Sequence, residues 1–187
     1  MNYENDKTPE SQDSADSTDM PTIDSSEMAL CYLTCPQDAA NAYLGALMVT
    51  DYRARPLHFA FVSPIRPTRI QKILYGSTLE EHVKIDVIGE KLLKDLPFVP
   101  NALFVDAKEL LTIRRLVDIP TAFLSKNIES EHNPGRLTTL KYDTGSNLDD
   151  QDIVGRILSS LEAFVDLVEP FARMREALKE AIKKPDA

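Results

Sequence analysis

Arg53, Arg55, Arg66, Arg69 and Lys72, with His58 among them, fall in a window, residues 52–79, that contains no Asp or Glu. Guanidinium and ammonium groups at this density recognise carboxylates and phosphates through charge-assisted hydrogen bonds. Arg53 and Arg55 belong to a polar connection, Asp51 to Arg55, between two apolar runs. Arg66, Arg69 and Lys72 follow the second run. Arg69 and Lys72 are three apart, so on a helix they share a face. Pro67 suits a helical first turn, where its missing N–H is no loss. The start of that helix is expected to add partial positive charge toward Arg66. These five residues are the candidate ligand-binding set, for an acidic peptide, a phosphate-bearing ligand or nucleic acid. Against nucleic acid stand the acidic chain as a whole, the absence of Trp, and Tyr52 as the one aromatic at the tip.

Other chemistries find little support. No Gly-rich phosphate loop occurs among the six glycines, neither GxGxxG nor a Walker sequence. Ser63 and His58 lack the flanking glycines of a nucleophile elbow. His58, His82 and His132 show no ligand spacing, and His82 reads as a surface or boundary residue of a helix. Cys31 and Cys35 on one strand would stand roughly 13 Å apart, too far for a disulfide. They read as free thiols on one strand face. No metal or cofactor is expected.

Composition sets the frame. The chain has 187 residues, 43% hydrophobic, with a formal net charge of −9. That length fits one domain. Residues 1–27 hold eight acids and one base, a net of −7, which leaves −2 for everything else. So polar a segment buries too little to offset its ordering entropy and reads as a disordered acidic tail. Residues 28–187 read as a single α/β domain. The tail is expected to shield the basic window electrostatically. The N-terminus resembles neither a secretory signal nor a transit peptide, and no run is long and apolar enough to span a membrane. The expected location is cytoplasmic.

The elements that position these residues follow from periodicity and punctuation. Ala29 to Thr34 is a short apolar strand closed by Pro36. Ala42 to Thr50 and Leu57 to Ser63 make an antiparallel hairpin about Asp51–Arg55, and Pro64 and Pro67 end strand geometry. Gly45 inside a strand predicts a bulge or a close neighbour. Ile70, Ile73 and Leu74 predict the apolar side of a short helix ended by Gly76. Ser77 or Thr78 opens a capping box for the next helix, whose core side is Val83, Ile88, Leu92, Leu93 and Leu96. Ala102 to Val105 reads as a strand buried on both faces. Asp106 reads as the cap of a helix over Lys108 to Arg115, and Thr121 to Ser125 completes a βαβ unit. Leu137 to Tyr142 predicts a further strand. Asp149 is the expected N-cap of a helix with Val154, Ile157, Leu158, Leu161, Phe164, Val165 and Val168 on one face. Pro170 kinks or breaks it, and Phe171, Met174, Leu178 and Ile182 carry the stripe onward.

Three strands, helices, strand, helix, strand and C-terminal helix: this order resembles that of the ribonuclease H-like fold. The resemblance implies divalent metal held by carboxylates, the first on the first strand. Neither of the first two strands here has an acid, and Asp106 alone stands at the carboxyl end of a parallel strand, where open sheets bind ligands. The expected function is therefore a non-catalytic binding or regulatory protein that docks on another protein, with the basic patch accepting an acidic or phosphate-bearing ligand. The C-terminal stripe is expected to serve partly as core and partly as a contact surface, including self-association. The alternative is a metal-dependent enzyme on a phosphate-containing substrate, nuclease-like, using Asp106 and the arginines.

Overall fold

Six strands hydrogen-bond into one mixed sheet of order β3-β2-β1-β4-β5-β6 in the computed structural model, which describes residues 28–126, 140–161 and 165–183. The strands are β1 (Ala29–Thr34), β2 (Tyr43–Asp51), β3 (Pro56–Ile65), β4 (Ala102–Val105), β5 (Thr121–Lys126) and β6 (Leu140–Asp143). β1, β2 and β3 form an antiparallel meander; β4 runs parallel to β1, β5 parallel to β4, and β6 antiparallel to β5. This is an α/β fold, and the order of its first five strands agrees with the ribonuclease H-like resemblance. The expected 1–27 tail and His132 lie outside the described residues, as does the proposed start of β6.

The sheet separates two apolar clusters because successive side chains of a strand point to opposite faces. On one face Leu30, Tyr32, Leu44, Ala46, Met48 and Phe104 pack with Val154, Ile157, Leu161, Phe171 and Met174. The latter come from α4 (Leu148–Leu161) and α5 (Glu169–Lys183). On the other face Cys31, Leu33, Leu47, Val49, Leu103 and Val105 pack with Val83, Ile85, Ile88, Leu92 and Ile113. Those come from the helical run 79–94 and the 3₁₀ helix Lys108–Arg115. Cys31 and Cys35 are both buried free thiols of this second cluster.

The run 79–94 is one α turn, α2 (Leu79–Glu81), a π-helical stretch His82–Gly89, and α3 (Glu90–Lys94). Its wide turn brings Val83, Lys84, Ile85, Ile88 and Gly89 inward together. Gly45 of β2 permits this approach: a Cβ there would lie 2.2 Å from Ile88 Cγ2. The register also shifts between Tyr43 and Gly45, so this glycine marks both a bulge and a close neighbour.

Several local expectations are corrected. β3 starts at Pro56 and continues through Pro64 to Ile65. Proline is tolerated because β3 is the outermost strand and its outward N–H groups have no ladder partner to lose. The cap of α4 is Asn147, whose Oδ1 accepts from Asp150 N at 3.2 Å, rather than Asp149. Asp150 instead turns inward and is buried. The C-terminal stripe goes mainly to the core: Val154, Ile157, Leu158, Leu161, Phe171, Met174 and Leu178 are all buried, Val165 and Val168 are partly buried, and Ile182 is exposed. Of the two expectations for Pro170, a break fits: α4 ends at Leu161, and Pro170 falls in the first turn of the separate helix α5.

Candidate binding surface

The hairpin tip is built by Asp51. Its Oδ1 accepts from Arg53 N at 2.8 Å and from Arg55 N at 2.9 Å. The turn places Ala54 at φ 59°. Arg173 of α5 donates from Nη2 to Ala54 O at 2.8 Å and pairs through Nε with Glu169 at 2.9 Å, which fastens the tip to the helical layer. Arg53 lies over the Tyr52 ring, 5.0 Å from its centroid. Arg53 and Arg55 are exposed.

Arg66, Arg69 and Lys72 are at the other end of the strand. β3 has ten residues and at about 3.3 Å per residue spans roughly 30 Å. The five cations are therefore two separate groups, not one patch, and no single phosphate or carboxylate touches both. Arg66 is also partly neutralised by Asp38, with Nη2 3.5 Å from Oδ2. Arg69 and Lys72 are exposed on α1 (Arg69–Tyr75).

The start of α1 is closed in part by its own side chains. Thr68 caps the helix, accepting from Gln71 N at 3.2 Å, while Gln71 Oε1 accepts from Thr68 N at 2.8 Å. This reciprocal box engages the Thr68 and Gln71 N–H groups of a seven-residue helix. Pro67 lies just outside it. Gly76, at φ 53°, ends it as expected.

The apolar residues of α1 turn outward. Ile70, Ile73 and Leu74 are 69%, 71% and 77% exposed, and no residue of α1 is buried. The expected apolar side exists and covers nothing among the described residues. A second exposed apolar stripe runs along β3: Leu57 is 55% exposed, Phe59 37% and Phe61 46%. Ala60 and Val62 pack into the cluster under residues 79–94, so Leu57, Phe59 and Phe61 stand on the opposite face, that of α5. Phe59 is opposite Met48 and Phe61 opposite Ala46. α5 packs chiefly on β1 and β2, which leaves the outer strand only partly covered. The L-H-F-A-F-V alternation carries this signal in the sequence, but only the strand order makes it an edge.

Asp106, at the carboxyl end of β4, is not a helix cap. Ala107 occupies that position without a side-chain cap. Asp106 Oδ2 accepts from Thr34 Oγ1 at 2.7 Å and from Arg175 of α5. It thus joins the parallel strands β1 and β4 to the helix above them. Among the described residues no three His, Cys, Asp or Glu side chains gather in a metal-holding group.

On the other face Lys84 is nearly enclosed, its Nζ 2.6 Å from Glu80 and 3.1 Å from Glu109. Desolvation opposes its charge, but the two carboxylates outweigh that and hold its pKa above the ordinary lysine value. This is a satisfied ion triad. His82 is a boundary residue as expected, stacked 4.4 Å from Tyr75 and 3.1 Å from Asp86.

No family model and no curated protein matches the chain. Among solved structures it is similar to the crystal structure of Marinitoga piezophila Argonaute in complex with 5′ OH guide RNA, at 10% identity and a TM-score of 0.40. The match covers 77% of this chain and 27% of that one, so the chain spans about a quarter of that protein's length. Similarity at this level carries no functional argument. No described helix is long and apolar enough to cross a membrane.

Proposed function

We propose that this chain is a non-catalytic binding protein that docks on another protein, with α1 as the inserted element. The observation that carries this reading is the outward face of Ile70, Ile73 and Leu74, at i, i+3 and i+4, with 69–77% of each residue in solvent. Isolated helices this short are marginal in water. Capping at both ends keeps α1 formed, which lowers the ordering cost on binding. An amphipathic helix displaying this triplet fits an apolar groove on a partner. Burying each of the three side chains would contribute about 1.5–3 kcal/mol. Arg69 and Lys72 beside the triplet, with no acid in residues 52–79, fit a groove rimmed by Asp and Glu.

The test places a photocrosslinking amino acid at position 73 in the native cell. The expected adduct is a protein segment that is apolar with acids at its border. The double variant Ile70→Asp/Ile73→Asp should lose that partner while its thermal midpoint stays put. If the double variant retains every partner of the unaltered chain, α1 is not the docking element.

A further inference from the structure

Outer strands of native sheets are usually blunted by charge, proline or a bulge, because their free N–H and C=O groups pair with other chains. Residues 57–62 of β3 contain no Asp, Glu, Lys, Arg or Pro. Alternate residues of this stretch hydrogen-bond to β2, so those between them turn their backbone groups outward. On the α5 face the same stretch presents Leu57, Phe59 and Phe61, with the two rings 6.2 Å apart. Both ends of the strand are basic: Arg53 and Arg55 precede it, and Arg66, Arg69 and Lys72 follow.

We propose that β3 accepts an extended segment of a partner protein as a seventh strand. Its backbone continues the ladder, its alternate apolar side chains lie beside Phe59 and Phe61, and its acidic ends meet the arginines. This extends the docking reading to a second surface, which uses none of Ile70, Ile73 and Leu74. Strand addition takes affinity from main-chain hydrogen bonds and specificity from alternate side chains. A second copy of this chain fits worse. Antiparallel pairing of two β3 strands about Ala60 would bring Arg55 of one copy beside Ile65 and Arg66 of the other. Asp38 beside Arg66 offsets only part of that adjacent like charge, whereas acidic ends on a partner segment would face the cations at both ends of the strand.

The experiment selects from a displayed library of random peptides long enough to span β3, using the full chain as bait. The enriched sequences should alternate apolar residues and carry Asp or Glu at both ends. Adding the best synthetic peptide should slow amide exchange across residues 57–62. Phe59→Ser/Phe61→Ser should weaken it about tenfold or more; these rings are surface groups, and Leu57→Lys serves as a second edge variant. Ile70→Ser/Ile73→Ser, which removes the apolar face of α1 without placing acid beside Arg69 and Lys72, should bind the peptide unchanged. The proposal falls if enrichment shows neither alternation nor acidic ends, or if the Phe variants bind as well as the unaltered chain. It also falls if sedimentation shows a dimer that Leu57→Lys dissociates, or if oligo-dT binds this face more tightly than any selected peptide. Should β3 fail while the α1 variant still loses its crosslinked partner, docking through α1 stands without it.

Discussion

Asp150 Oδ2 accepts from Arg114 Nε at 2.8 Å, joining the first turn of α4 to the 3₁₀ helix 108–115. The same oxygen accepts from Thr121 N at 3.0 Å, so one carboxylate also holds the start of β5. Its side chain is only 2% exposed, against 28% for Arg114. The pair therefore sets how the two helical layers meet the edge of the parallel strands.

Asp150→Ala should be among the most destabilising polar substitutions in the chain. It leaves a buried N–H of Thr121 without an acceptor and removes the closer of Arg114's two carboxylate partners, leaving Asp118 at 3.3 Å. Losing hydrogen bonds to a charged group costs about 1.5–3 kcal/mol. Urea unfolding measures it, and a change under 0.5 kcal/mol would show that the pair is dispensable.

Asp106→Ala strands the buried Thr34 hydroxyl and should cost about 1–3 kcal/mol. Asp106→Asn keeps an acceptor for Thr34 and loses only the charge facing Arg175, so it should cost clearly less. Equal losses in the two variants would mean that the Arg175 pair, not the Thr34 bond, holds the strand ends together.

Ile70→Asp/Ile73→Asp should shift stability by no more than about 0.5 kcal/mol, the usual range for surface changes without a structural role. A larger destabilisation in thermal or urea unfolding would show that α1 packs against something in this chain.

Burial pushes the Cys35 thiol up to about 12, with further upward pressure from Asp106, and burial raises Cys31 as well. The thiolate is the reactive species. Neither cysteine should react with a disulfide reagent in the folded protein at pH 8, and both should react once it is unfolded in denaturant. Rapid native labelling of either would contradict the enclosed positions.

Stability should fall in acid. Asp86 sits below the ordinary carboxylate range because His82 hydrogen-bonds to it, with Arg115 adding to the effect. Glu109 is lowered by its own backbone N–H and then by Lys84. Groups lowered on folding bind fewer protons in the folded chain. Their contribution is present at neutral pH and is lost as pH drops through the folded values, below about 4. Urea midpoints between pH 7 and pH 3 should decline in that window, and Arg115→Gln/Lys84→Met should flatten the decline. An equally steep decline in the double variant would place the acid sensitivity elsewhere.

Local chemistry determined much of this protein. The apolar runs and their punctuation placed β1, β2, β4 and β5 within a residue or so, because strand alternation and proline act over a few residues. Gly76 and the hairpin turn at Asp51 were legible for the same reason. The charge of residues 52–79 was also legible, but its division was not: Arg55 and Arg66 are near in sequence and lie at opposite ends of an extended strand. Tertiary structure alone decided which strand lies outermost. That choice turned Leu57, Phe59 and Phe61 from ordinary core candidates into an exposed stripe. Spacing showed that Ile70, Ile73 and Leu74 share a face, but periodicity reports only that residues share a side, not what stands opposite it. The same limit hid the Thr34, Asp106 and Arg175 contact, whose members meet only because β1 and β4 are neighbours beneath α5. The C-terminal stripe lost most of its free surface to the core, since a sheet apolar on both faces needs a helical layer over each.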